Sequence, residues 1–350
     1  MTECPVVTCV IPTYRRPEFL RRAIRSVLKQ TYPHFRLIIY DNASGDGTAD
    51  VVREFSEHDE RIGYHCHDTN IGAAANIAYA VSRVTTPLFS VLGDDDVLLP
   101  AFYESAVRAL SAEPAAMFYC AGTVTDHWPM RLFTRHFTQW RGGVHPAAVE
   151  SVERMIDAHF ISTGVVWRLE TQNTVGEFGS YLSDRSYAIV AAATHPFVVS
   201  EEEQAVFTVH PRSFTSGLAT LDRAAHGPDF MLDIHRETVE GLKRTPLGTT
   251  AMKVLEGRLE QRTRRDLVAA VLVLGVRHAR PEQIETLRRR GAEVKLHPIV
   301  PAMMKMLWAI RADRWMRAMS WMLGLLRKRK RKPSPTEQDR RLREYLDGLR

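Results

Sequence analysis

The feature that most constrains this chain is an alternation along its first 110 residues, where short apolar runs rich in β-branched residues take turns with stretches of helical apolar spacing. Val6–Ile11 precedes Arg16–Gln30, in which Leu20, Ala23, Ile24, Val27 and Leu28 recur at helical intervals. Leu37–Tyr40 precedes Thr48–Phe55, Ile62–Cys66 precedes Ala73–Val81, and Leu88–Leu92 precedes Ala101–Leu110. Near-continuous apolar strands separated by helices predict an α/β fold, with a mostly parallel sheet covered on both faces. Such sheets bind ligands in the crevice beyond the carboxyl ends of their strands.

The polar residues at those ends are therefore the informative ones. They read IPTYRR (Ile11–Arg16), YDNASGDGT (Tyr40–Thr48), DTNIGAAAN (Asp68–Asn76) and LGDDD (Leu92–Asp96), each where a strand gives way to a helix. Taken singly, the first three are ordinary turn chemistry. The fourth is different, because Asp94, Asp95 and Asp96 crowd like charges that repel unless a cation offsets them. A divalent ion such as Mg²⁺ or Mn²⁺ takes hard oxygen ligands of this kind and can bridge a diphosphate. The plain alternative is a solvated turn in which Asp94 caps the helix that Pro100 helps to start. Neither G-x-x-x-x-G-K-[ST] nor a post-strand G-x-G-x-x-G occurs, so the phosphate grip of ATPases and dinucleotide enzymes is missing.

Composition narrows the class. A chain of 350 residues, 45% hydrophobic and 25% charged, can bury a large core, and suits one large domain with additions. Its four cysteines lie far apart without a C-x-x-C pair, which points away from a disulfide framework or zinc ribbon and fits a reducing cytoplasm. MTECPVVTCVIPTYRR has no basic leader before its apolar run, so no secretory signal is expected. The net charge of +6 is uneven: residues 311–350 carry 13 Lys and Arg against 5 Asp and Glu, a balance of +8, leaving −2 for the rest. No basic, aromatic-interleaved stripe runs through the main body, so nucleic acid is not an expected partner.

The succession VIPTYRRPEFLRRAIRSVLKQTYPHFRLIIYDNASGDGT, NIGAAANIAYA and LGDDDVLLP strongly resembles the family 2 glycosyltransferases, which use nucleotide sugars on a GT-A fold. The match is specific over residues 5–110 and looser to about 216. The resemblance implies a Rossmann-like, mostly parallel sheet and a divalent metal, Mn²⁺ or Mg²⁺. It implies that Asp94 contacts the ribose side, that Asp95 is the main metal ligand, and that Asp96 supports either. Pro12, Thr13 and Arg15 resemble the first nucleotide-contact loop, and Asp41 matches the aspartate that faces the base. Asn70, Gly72 and Asn76 resemble the loop beneath the nucleotide. Two departures stand out: Gly93 replaces a frequent aspartate, and Ala75 replaces a frequent arginine near the diphosphate.

The segment Gly164–Ser216 resembles the family's acceptor half, with Gly176-Glu177-Phe178 at its turn. Asp184 falls where the family places its general base, preceded by Ser183 instead of the usual glutamate. Attack assisted by such a base opposite the leaving diphosphate inverts the anomeric centre. A helix N-cap is the bland reading of Asp184. His210 matches a histidine that completes the metal site in several members of the fold, and imidazole suits Mn²⁺. His65 and His67 alternate with Cys66 along a strand, so the three do not share a site. Trp167, Phe178 and Tyr181 could stack on an acceptor sugar, although aromatics at such turns more often belong to the core.

Residues 1–216 thus form the expected catalytic domain, split into a donor half, 1–110, and an acceptor half, 111–216. A helical appendage follows over 217–297. Residues 298–332 read as an amphipathic basic helix, with Trp308, Trp315 and Trp321 beside the run Arg327–Lys332, suited to an anionic membrane surface or to docking on protein. The end, 333–350, reads as a loose charged tail apart from a short helix at Glu337–Leu349. The expected enzyme moves sugar from a UDP-, GDP- or dTDP-sugar to a saccharide or lipid-linked saccharide in cell-envelope assembly, at the cytoplasmic face of a membrane. A sugar nucleotidyltransferase and a non-catalytic nucleotide-sugar-binding protein are the alternatives.

Overall fold

The computed structural model describes residues 4–130, 132–135, 140–158, 160–180, 183–210, 227–277, 285, 289–296 and 336–349. The amphipathic segment expected at 298–332 lies outside these residues, as do Tyr181 and most of the stretch between 278 and 288. No helix among the described residues is long and apolar enough to cross a membrane.

Each expected strand and helix of the first 110 residues forms, within a few residues of its expected ends. Strands β1 (Val7–Thr13), β2 (Phe35–Asp41), β3 (Ile62–Cys66) and β4 (Leu88–Val91) alternate with helices α1 (Pro17–Leu28), α2 (Thr48–Ser56) and α3 (Ala73–Ser82). The chain continues through β5 (Val97–Leu98), α4 (Phe102–Ala112), β6 (Phe118–His127), β7 (Leu132–Arg135), β8 (Gly143–His145) and α5 (Val149–Asp157). Then come β9 (Val165–Arg168), the one-turn α6 (Gln172–Val175), α7 (Asp184–Thr194) and β10 (Phe197–Val209). Among the described residues, helices α8 (Gly227–Lys243), α9 (Thr249–Arg277) and α10 (Glu337–Asp347) follow.

The strands make one sheet in the order β3-β2-β1-β4-β9-β6-β10-β5, with β7 added to β6 and β8 to β10. Its first four strands are parallel, as are β6 and β10, and β9 runs antiparallel between the two groups. The period-2 alternation of β1 shows why both faces need cover. Val7, Cys9 and Ile11 enter one core with α1, α2 and α4, while Val10 enters the other with α3, α5 and α7. Helix α1 begins with Pro17 in its first turn, where the missing N–H costs nothing, and buries Leu20, Ala23, Ile24 and Val27. The appendage packs on this second face: α8 lies against α7, α9 against α5, and Leu242, Leu255 and Leu259 join its core. Within this appendage the stretch from Ala251 to Arg277 lies in the single helix α9.

The short helix expected at Glu337–Leu349 forms, but it docks on the domain instead of belonging to a loose tail. Thr336 and Asp339 form a reciprocal capping box at the start of α10, and Leu342, Leu346 and Leu349 bury against Val97, Val124 and Val206. Asp339 pairs with Arg135 at 2.9 Å, and Arg25 donates to the Leu349 carbonyl at 3.2 Å. The high charge of the segment masks an apolar stripe at helical spacing, and that stripe decides the outcome. Leu346 is fully buried, so Leu346→Ala should cost about 2–5 kcal/mol and lower the thermal unfolding midpoint. An unchanged midpoint would show that α10 does not dock.

Candidate active site

The carboxyl ends of β1, β2 and β4 carry the loops singled out in the sequence, and the polar side chains there are largely bonded to one another. Asp41, 2% exposed, accepts the Ser44 N–H at 3.0 Å on Oδ1 and the Tyr64 hydroxyl at 2.7 Å on Oδ2. Ser44 in turn accepts the Arg15 N–H at 2.9 Å. Asn42 donates to Asn70 at 2.9 Å and accepts the Ile71 N–H at 2.8 Å, which fastens the second loop to the third. Arg15 and Ala43 hold φ of +54° and +58°, a left-handed backbone that costs non-glycine residues roughly 1–3 kcal/mol. Gly72, at φ +90°, supplies the same reversal without that cost ahead of α3.

The acidic cluster divides into an open part and an inward part. Asp94 accepts the Thr13 hydroxyl at 2.7 Å, and its other oxygen lies 3.2 Å from the Arg16 guanidinium. Asp95 Oδ2 lies 2.5 Å from Arg16 Nη1 and 3.0 Å from His210 Nε2. These partners meet because β5 pairs antiparallel with β10, Val97 opposite Val206, which brings the residues before β5 alongside the end of β10. Phe19 stacks on the His210 ring at 4.1 Å between centroids, and Trp128 presents its edge at 6.5 Å. Burial pushes the Asp94 carboxyl up to about 7 against the pull of Arg16, with Asp95 adding to the rise.

Asp96 is turned inward, away from the ligand role expected of it. It accepts the Thr163 hydroxyl and the Thr208 N–H at 2.8 Å, is 3% exposed, and has its pKa raised well above the ordinary value by burial and by Asp95. Gly93 fits this arrangement: a Cβ there would lie 2.9 Å from Asp96 Oδ2. Asn76 likewise faces the protein, donating to the Tyr40 carbonyl at 2.9 Å and meeting His67 Nε2 at 3.0 Å, so its contacts hold α3 against β2. Pro12 is partly exposed at the end of β1, and Thr13 is buried on Asp94. The capping readings of Asp94 and Asp184 do not hold, since α4 has Ala101 at its N-cap and no side-chain cap, and Ser183 caps α7.

Asp184 occupies the first turn of α7 and is exposed. Its carboxylate accepts the Arg185 N–H at 2.9 Å, and the Ser162 backbone N–H lies near enough to favour its charged form. Protein packed beneath it raises its pKa, with these donors pulling the other way and the water it still meets screening the rise. Ser162 and Thr163 are consecutive, one beside Asp184 and the other bonded to Asp96, so a single turn links Asp184 to the acidic cluster. Arg185 anchors that end of α7 to the Ile156 carbonyl at 3.0 Å and to Asp266 of α9 at 3.3 Å. Trp167 and Phe178 are 1% and 5% exposed and belong to the core, beyond reach of an acceptor.

Sequence reasoning missed Arg16, Phe19, Thr163 and Thr208. Arg16 stands in the quoted YRR, whereas nothing local marks the two threonines. Among the described residues no three His, Cys, Asp or Glu side chains gather closely enough to hold an ion as they stand. Asp94, Asp95 and His210 nevertheless supply two hard oxygens and one nitrogen around a point now met by a guanidinium cation, a donor set that fits Mn²⁺ or Mg²⁺.

Residues 8–146 match the model of the family described as glycosyl transferase family 2. TuaG of Bacillus subtilis, a glycosyltransferase assigned to teichuronic acid biosynthesis, is 34% identical over 92 residues, 26% of this chain and 36% of TuaG. A GalNAc(5)-diNAcBac-PP-undecaprenol beta-1,3-glucosyltransferase of Campylobacter jejuni is 29% identical over 115 residues, 33% of this chain and 37% of that protein. The matched stretch therefore spans about a third of these relatives' length. Among solved structures, S. aureus TarS 1-349 aligns over 89% of this chain and 91% of its own, with TM-score 0.61 at 12% identity. The mannosyltransferase PcManGT of Pyrobaculum calidifontis, solved with GDP-Man and Mn²⁺, aligns over 90% of this chain and 88% of its own, with TM-score 0.53 at 18% identity. The parallel half-sheet, its crevice loops and the acidic cluster all fall inside the stretch that matches glycosyl transferase family 2, and the fold is of GT-A type followed by C-terminal helices.

Proposed function

We propose that the chain is an inverting glycosyltransferase that passes a sugar from a nucleoside-diphosphate sugar to a hydroxyl acceptor, with a divalent cation at Asp94, Asp95 and His210. The observation that carries this reading is the Ser162–Thr163 turn, which sets an exposed carboxylate, Asp184, beside the acidic cluster at the open end of the sheet. Asp41 and the Asn42–Asn70 pair would shape the base and ribose pocket, and Thr13 would hold Asp94 in place. When bound, the cation offsets charge on the departing diphosphate. Asp184 takes the acceptor's hydroxyl proton as the oxygen bonds to the anomeric carbon and the bond from that carbon to the diphosphate breaks. Attack from the face opposite the leaving group inverts the centre.

A donor of UDP or GDP type finds support in TarS, solved with UDP-GlcNAc, and in PcManGT with GDP-Man. An acceptor in cell-envelope polysaccharide assembly finds support in the teichuronic acid and undecaprenol-linked relatives. The basic amphipathic segment 298–332 would meet such an acceptor at an anionic membrane surface. The test is a panel of UDP-, GDP- and dTDP-sugars with Mn²⁺, read first by thermal shift, then by the product released. A donor at 100 times its dissociation constant should add about 2.7 kcal/mol of stability. Release of a nucleoside diphosphate supports the transferase, and release of pyrophosphate from a sugar phosphate and a nucleoside triphosphate overturns it in favour of a nucleotidyltransferase.

A further inference from the structure

Arg16 has no assigned role, yet it makes the shortest cationic contact in the acidic cluster. It stands at the N-terminal boundary of α1, immediately before Pro17, with its side chain 20% exposed. One nitrogen, Nη1, serves both Asp95 Oδ2 at 2.5 Å and Asp94 Oδ1 at 3.2 Å. The same Asp95 oxygen also meets His210 Nε2 at 3.0 Å, so the point between carboxylates and imidazole is held by a guanidinium. The backbone turn at Arg15 allows two consecutive arginines to diverge: Arg15 Nε reaches the Ser44 carbonyl at 3.0 Å while Arg16 reaches the acids.

A divalent ion held by Asp95 Oδ2 would need the space that Arg16 Nη1 now takes, 2.5 Å from that oxygen. Two positive centres cannot share it, since a charge of +2 and a charge of +1 a few ångströms apart repel strongly in a site this poor in water. Arg16 must leave when the ion enters. Its attachment point stays at the start of α1, where N–H groups and the helix dipole favour an anion, so the natural new partner is the donor's diphosphate.

We propose that Arg16 is an exchangeable counter-ion, occupying the cation position in the donor-free protein and transferring to the donor diphosphate when the divalent ion enters. This rests on the metal reading of Asp94, Asp95 and His210. Cation entry and donor capture are thereby coupled: the ion binds weakly alone because it must displace Arg16, and more tightly once a diphosphate accepts the displaced side chain.

The test measures Mn²⁺ binding to the full chain by titration calorimetry, without turnover, for wild type, Arg16→Met, Arg16→Lys and Asp95→Ala, with circular dichroism to confirm folding. Without donor, Arg16→Met should bind Mn²⁺ about tenfold tighter than wild type or more. With Mn²⁺ saturating, the same variant should bind a nucleoside diphosphate about tenfold more weakly. Arg16→Lys, which keeps the charge but loses the fork, should fall between, and it carries the test should Arg16→Met fail to fold. Equal or weaker Mn²⁺ binding by the variants, with wild-type binding lost in Asp95→Ala, overturns the exchange while leaving the metal site standing. Failure of wild type to take Mn²⁺ with or without nucleoside diphosphate overturns both.

Discussion

Asp95→Ala is expected to leave a folded protein that no longer binds Mn²⁺ and transfers sugar at least about 10²–10³-fold more slowly. Asp95 offers the one carboxylate oxygen met by both Arg16 and His210, so its removal dismantles the convergence and leaves His210 facing the alanine methyl. A cation at a departing phosphate supplies several kcal/mol of transition-state stabilisation, and each 1.4 kcal/mol is a factor of ten in rate. The fold should survive because Arg16 keeps Asp94 at 3.2 Å, and because deleting one of three crowded carboxylates relieves repulsion. Calorimetric Mn²⁺ titration and a released-nucleotide assay check both parts. Transfer at near wild-type rate would show that Asp95 holds no essential cation.

The first half of the fold was readable from pattern alone because each strand and helix there satisfies its own local rule. Apolar runs of four to seven residues give way to turn residues such as Pro12, Asp41 and Gly93, and α1 carries both its proline start and its buried stripe. The carboxyl-end crevice followed from topology. Which acid faces the crevice did not, because three adjacent aspartates look alike until their partners are known. Thr163 and Thr208, 67 and 112 residues away, decide it for Asp96. The meeting of Asp95 and His210 depends on β5, a two-residue strand with no sequence signature, so it was expected from family resemblance and from nothing in the spacing.

Burial decided the remaining differences. Trp167 and Phe178 are residue types that stack on sugars, but β9 runs through the middle of the sheet and their rings fill the core beside Tyr187. The last helix was legible, but its charge concealed that it docks, though Leu342, Leu346 and Leu349 sit at helical spacing. Arg16 was visible as a residue and invisible as a contact, since only the reversed backbone at Arg15 separates its direction from its neighbour's. Local chemistry was therefore legible wherever its partner was close in sequence, and lost wherever the partner came from a distant strand.

Asp184→Asn should separate binding from chemistry. An amide of the same shape keeps an oxygen that can accept the Arg185 N–H, so α7 should stay in place and donor affinity should change little. It cannot take a proton from the acceptor, and loss of a positioned base costs typically 10²–10⁴-fold in turnover. The pH profile carries a second signature. Surrounding protein raises the Asp184 pKa, so the acidic limb of kcat/KM, measured at saturating Mn²⁺, should lie above the ordinary aspartate value. Activity falls as pH drops through that limb because the protonated carboxyl accepts nothing, and in Asp184→Asn the limb assigned to this group should vanish from whatever turnover remains. Unaltered turnover with an unaltered profile would remove Asp184 from the reaction. A drop in donor affinity of the same size as the drop in rate would make it a binding residue instead, because a base acts on the acceptor's proton and has no contact with the nucleotide to lose.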